Sequence, residues 1–264
     1  MNIIKRELRA NLKSMIIWSF AMAFLVMVWM IEFESFANSP YIDDFMNSIP
    51  SGILSVFGMS NLDISSLNGF IGTISLYLYL LLGIQAVLLG SSIISKEERD
   101  KTAEYLFSLP VSRKKVIWNK IVSAIINLII LNLITGTTMI LSTISYNKEP
   151  GFYRFIILMF LGVFLIQTVF LSIGMLVASV NKRYKKSGNI SVTILMITFI
   201  IASLINTVDK LDFLKYITPF KYFDSSYILN EKALEPIFIF ISIGIIGIGI
   251  VGTLVFYPKR DLHI

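Results

Sequence analysis

Residues 96–120 read KEERDKTAEYLFSLPVSRKKVIWNK, a compact charged segment set between two long apolar runs. The runs cover roughly residues 70–94 and 116–144, and each is long enough to cross a hydrocarbon core as a helix. Ser95 to Glu98 fits the Ser-x-x-Glu capping box, which would start a new helix just past the first run. Unbroken extension of that run fits equally well. Ala103, Leu106 and Phe107 share one helical face, with Arg99 and Glu104 elsewhere. Pro110 disfavours helical geometry in the residue before it, so a helix here ends near Leu109. Ser112 is placed to cap the next helix, and Arg113, Lys114 and Lys115 to hold its start at the headgroups. Two readings remain open: a short strut that docks a soluble partner, or a solvated loop that sets topology.

Outward from this segment the chain stays apolar. Of its 264 residues 55% are hydrophobic and 15% charged, where a soluble domain carries about 25% charged residues. We expect an all-α integral membrane protein, one domain over residues 1–264. Its six spans are expected near residues 15–31, 70–94, 116–144, 155–180, 190–208 and 236–256. Pro236 suits a first helical turn. With the N-terminus inside, 17 of the 23 Lys and Arg residues lie in cytoplasmic segments, so both termini are expected there. Residues 1–13 place Ile4, Leu8, Leu12 and Met15 at helical spacing, with Lys5, Arg9 and Lys13 on another face. They read as an amphipathic helix in the inner headgroup layer or as an ordinary positive flank, and not as a cleaved signal. Residues 32–69 hold five acidic residues and no Lys or Arg. In this external loop Ile42, Phe45, Met46 and Ile49 mark a short helix that ends at Pro50 and Gly52. A second external loop spans residues 208–235.

Several chemistries have no residues to carry them. Cysteine is absent and His263 is the single histidine, which leaves no thiolate chemistry, no Cys-ligated metal, no metalloprotease motif and no Ser-His-Asp triad, and no metal-binding residues are expected. No G-x-x-x-x-G-K-[ST] occurs in these residues. The G-x-G-x-x-G at Gly247, Gly249 and Gly252 lies inside the last apolar run, where a dinucleotide has no water and no preceding strand. Glycines in a membrane helix serve close packing instead. Gly83, Ala86 and Gly90, and Gly174 with Ala178, read as similar seams, within the chain or between two copies. The net charge of +6 follows from basic loops rather than from nucleic-acid binding. Gln85, Asn127, Asn132 and Gln167 lie inside spans, where they either join helices or line a translocation path.

The charged segment resembles the cytoplasmic loop of ABC-2 type transporter permeases, the membrane subunits of a class of ATP-binding cassette exporters. The likeness is carried by Glu97 or Glu98, Thr102, Leu106 to Pro110, Ser112, Arg113 and Lys120. It departs at Lys101, where the family often has Gly. The Pro219-Phe220 pair and the basic tail Lys259, Arg260, Asp261 are also similar. The resemblance implies a six-helix bundle of the ABC-2 (type V exporter) type. It implies a transporter subunit, not an enzyme, in a bacterial plasma membrane. ATPase coupling would fall on Glu97, Glu98, Thr102, Leu106, Phe107, Pro110 and Arg113. ATP and Mg would be bound by a separate ATPase, and the permease would pair with a second copy or a sister permease. Apolar or amphipathic peptides or drugs are the expected cargo. The alternative is a stand-alone channel or secondary transporter without an ATPase. A membrane anchor or sensor with no transported substrate is a third reading.

Overall fold

Six helices of the computed structural model are long and apolar enough to cross a bilayer. The structure describes residues 3–37, 46, 48–59, 62–100, 112–181 and 184–259. In chain order the helices are α1 (Ile3–Ala37), α2 (Ser51–Val56), α3 (Leu67–Arg99), α4 (Arg113–Ser142), α5 (Phe152–Val180), α6 (Tyr184–Thr207), α7 (Ser225–Glu231) and α8 (Pro236–Lys259). Two 3₁₀ turns, Asp209–Tyr216 and Pro219–Lys221, link α6 to α7. All but α2 and α7 are candidate spans, and no strand occurs among the described residues. An even number of passes puts Ile3, Arg99, Arg113 and Lys259 at one end of the bundle, here the terminal end. The starts of α3, α5 and α8 lie at the far end.

The helices overrun the apolar runs that announce them. α1 starts at Ile3 and continues unbroken to Ala37, so residues 3–13 belong to the same helix as the first span. Its buried face near the start is Ile3 and Glu7, while Leu12 stays exposed. α3 likewise continues past Ser95 to Arg99, so the Ser-x-x-Glu sequence opens no new helix. The Ser95 hydroxyl turns instead to Ser187 of α6, 3.3 Å away. Ser112 does cap α4, accepting from the Lys115 amide at 3.3 Å. In the loop after α1, Met46 and Ser48 are helical, and the chain leaves that helix at Ile49 and Pro50 before α2. Ile42 and Phe45 lie outside the described residues.

α3 and α5 form the centre. Of their most apolar 18-residue windows 72% and 61% are buried, against 17–33% for the other four spans. α4, α6 and α8 pack around this pair, and α1 packs chiefly on α4. The outer helices turn large apolar side chains outward, including Phe20, Ile31, Phe240 and Ile248. That is the distribution expected where the solvent is lipid rather than water. The two central helices touch backbone to backbone. A Cβ added at Gly90 would stand 2.2 Å from the Leu171 carbonyl, and one at Gly174 would stand 2.4 Å from that of Val87. The small-residue faces of α3 and α5 therefore meet each other within one chain. Gly249 and Gly252 of α8 pack on Ser172 and Leu176 of α5 in the same way.

The far end is closed by the chain between α6 and α8. Phe220 inserts between Phe170 and Phe199, with ring centroids 5.2 and 5.3 Å away. Tyr222 stacks on Phe238 at 5.0 Å, and burial pushes its hydroxyl up to about 12. Asp224 caps α7 through the Ser226 amide at 2.9 Å and pairs with Lys221 at 2.9 Å. Burial pushes the Asp224 carboxyl up, but Lys221 and the Ser226 hydrogen bonds outweigh it and hold it below 3.8. Because the folded value is depressed, this contribution is present in full above the ordinary aspartate range. It is lost as pH falls through the lowered value. Asp224→Ala should therefore cost about 1 kcal/mol at pH 7, the worth of a cap, and less at an acid pH below the lowered value. Thermal unfolding of both proteins at the two pH values measures this. An equal cost at both would refute the assignment.

Candidate functional site

The terminal end holds a feature unusual for a membrane bundle. Five charged side chains from three helices meet where α3 ends and α4 begins. Glu97 sits in the last turns of α3 and is 1% exposed. Lys120, two turns into α4, is fully buried. Its Nζ lies 2.7 and 2.9 Å from the two Glu97 carboxylate oxygens and donates to the Ile93 carbonyl at 2.5 Å. Two of its N–H groups thus meet acceptors, the Ile93 carbonyl and Glu97 Oε2, while Glu97 Oε1 completes the ion pair, so the buried ammonium is held by charge and hydrogen bonds together.

α1 supplies the other side. Glu7, also fully buried, takes Lys96 at 3.2 Å and lies 3.9 Å from Lys120. Arg6 reaches Glu97 at 3.8 Å and Glu7 at 4.0 Å. Arg6, Lys96 and Lys120 thus face Glu7 and Glu97, three cations against two carboxylates. Each carboxylate touches at least two cations on more than one helix, so no helix can shift without opening a pair. Desolvating such groups is costly, and their mutual attraction repays it only while the geometry holds. The cluster therefore behaves as a rigid joint between α1, α3 and α4.

The joint adjoins residues 101–111. α3 stops at Arg99, with the Asp100 amide closing on Lys96 at 2.8 Å, and α4 resumes at Arg113. Arg113 donates to the Pro258 carbonyl at 2.9 Å, tying the start of α4 to the end of α8. Both ends of the intervening segment are thereby anchored.

Of the residues singled out in the sequence, Glu97 takes the buried position at the joint and Glu98 is half-buried beside it. Arg113 holds the neighbouring corner. Thr102, Leu106, Phe107 and Pro110 lie outside the described residues. The four mid-span amides divide differently. Asn132 of α4 donates to the Gln167 side chain of α5, and Asn127 folds back on its own helix at Ser123. Gln85 is buried on α3 without a partner for its oxygen among the described residues. Asn132 also borders an apolar recess of about 420 Å³ between α4 and α5. Among the described residues no group of three His, Asp or Glu side chains gathers to hold a metal ion.

Sequence reasoning missed Glu7, Arg6 and Lys96. One signal was available: Glu7 is the single acidic residue before Glu32, set inside a basic flank.

A family model described as ABC-2 family transporter protein matches residues 1–262. The chain belongs to the ABC-2 transporter family. No curated protein matches it closely enough to add a substrate or a partner. Membership with six apolar helices makes this a multi-pass membrane protein and the permease subunit of an ABC transporter. It also implies association with an ABC ATPase subunit.

Proposed function

We propose that this permease couples to a separate cytoplasmic ATPase through the coupling segment, residues 96–115, and that the buried joint carries the motion into the bundle. The observation that supports this is the Glu97–Lys120 pair at 2.7 Å, set beside the segment and linked to α1 through Glu7. A push on residues 101–111 displaces the end of α3 and the start of α4 together, and α1 follows through the pairs that Arg6 and Glu7 make with Glu97, Lys96 and Lys120. A rigid joint transmits displacement, whereas a solvated loop would absorb it. The motor must still bind two bundle states unequally, since equal affinity shifts no equilibrium.

Both termini lie on the cytoplasmic side in this reading, because the terminal end carries most of the Lys and Arg. Transport runs outward, and the working unit is two permeases with two ATPases. The cargo is an apolar or amphipathic peptide or drug, which a cavity lined mainly by Phe, Leu, Ile and Met would suit.

The test is a substitution in the segment itself. Leu106→Asp or Phe107→Asp should leave insertion and folding intact while ATPase capture from native membranes drops at least tenfold. That loss corresponds to about 1.4 kcal/mol. Undiminished capture and transport by both variants would sink the docking claim. Ion currents from the purified chain alone would favour the channel reading instead.

A further inference from the structure

At the far end, a cavity of about 290 Å³ lies where α3 and α5 begin and α7 ends. We propose that it holds a zwitterion with a primary ammonium and an anionic group, the chemistry of a phosphoethanolamine headgroup. The charges that line it balance: Asp63 and Glu149 against Arg154 and Lys232. Among the described residues neither Arg154 nor Lys232 has an ion-pair partner.

The two signs occupy different structural settings. Arg154 sits in the first turn of α5, whose cap residue is Gly151, so no side chain satisfies the opening amides. A 29-residue helix with an uncapped start and an arginine in its first turn favours an anion there. The start of α3 is different, because Ser66 already caps the Gly69 amide.

The cation setting rests on Asn68. This residue is only 6% exposed, and its Nδ2 donates to Glu149 at 2.8 Å. That contact fixes the amide orientation, because a carboxylate accepts only from nitrogen. The Asn68 Oδ1 is then a buried acceptor with no partner among the described residues. An orphaned acceptor beside the Glu149 carboxylate, in a cavity that Asp63 also lines, calls for an N–H donor that carries positive charge. A primary ammonium supplies one. A quaternary ammonium has the charge but no N–H, so the site should distinguish ethanolamine from choline. Its place at the helix ends is the depth at which lipid headgroups lie, so a membrane lipid is a ready source.

The experiment uses the full chain in mixed micelles holding equal mole fractions of phosphatidylethanolamine and phosphatidylcholine, read by native mass spectrometry. The ethanolamine lipid should be retained at least about tenfold over the choline lipid, the selectivity of one charge-assisted hydrogen bond. Arg154→Ala, at an exposed position, should weaken retention of both. Asn68→Leu should bring the ratio to one. If Asn68→Leu fails to fold, the ratio measured on the unaltered chain decides alone. Free phosphoethanolamine and phosphocholine, titrated against delipidated protein, identify the source. Preferential binding of free phosphoethanolamine as tight as that of the lipid supports the site with a soluble occupant. Much tighter binding of the lipid supports the site with a lipid occupant. Equal retention of the two lipids by the unaltered chain overturns the proposal.

Discussion

Replacing Lys120 with methionine is expected to destabilise the folded bundle by about 3–5 kcal/mol, the cost of leaving a buried ion unpaired. Methionine matches the lysine stem in length, so the change removes charge more than volume. Among the described residues Glu97 then keeps only Arg6, at 3.8 Å, and Glu7 loses the ammonium 3.9 Å away. The Ile93 carbonyl loses its donor as well. Removing Glu97 at the same time, as K120M/E97M, should recover a large part of the loss, because no buried charge is then left facing an empty place. Glu7 still has Lys96 at 3.2 Å in that double variant. A denaturant titration of each purified protein, arranged as a double-mutant cycle, reads the coupling directly. A K120M protein as stable as its parent would show that the pair contributes nothing to the joint. Additive losses in the double variant would show that Lys120 and Glu97 act apart. A folded K120M/E97M protein that no longer supports transport would separate the joint's role in motion from its role in stability.

How far the sequence discloses such features depends on how far apart their residues lie in the chain. The Ser112 cap was legible because the hydroxyl and the amide it satisfies are three positions apart. The six spans were legible from their apolar length, although hydropathy stops where the charges start and helical hydrogen bonding does not. This is why α1 runs from Ile3 and α3 reaches Arg99, beyond the apolar limits near residues 15 and 94. Ser95 and Glu98 carry a local capping pattern, but packing of Ser95 on Ser187 keeps α3 whole. Glu97 and Lys120 appear in the family likeness, yet nothing in their spacing says that they touch. Glu7 lies 89 positions from its partner Lys96. Helical periodicity states which face a residue takes and leaves open which helix will meet that face. The same limit applied to the mid-span amides. Asn132 and Gln167 were expected to join helices or to line a path, and only the packing of α4 on α5 makes them partners.

The glycines of the central pair give the second large effect, and here the sequence can be set against itself. Gly90→Ala and Gly174→Ala should each destabilise the bundle by about 1–3 kcal/mol, the range for overpacking a filled core. Leucine at either place should prevent assembly. The added methyl would meet backbone, not a side chain able to turn away: the Leu171 carbonyl at 2.2 Å in one case and that of Val87 at 2.4 Å in the other. These two contacts belong to one crossing, since Val87 and Gly90 lie one turn apart on α3, as do Leu171 and Gly174 on α5. Relief therefore requires the two most buried helices to separate, and α4, α6 and α8 all rest on that pair. Gly247→Ala supplies the contrast. Nothing lies within 4 Å of a Cβ there, and alanine favours a helix interior by up to about 1 kcal/mol over glycine. That variant should be neutral or slightly more stable. Thermal unfolding of the three alanine variants in one detergent makes the comparison. If Gly90→Ala and Gly247→Ala behaved alike, the backbone contact would not be what holds α3 against α5. A loss confined to the two seam positions would show that close approach, rather than glycine content, organises the bundle.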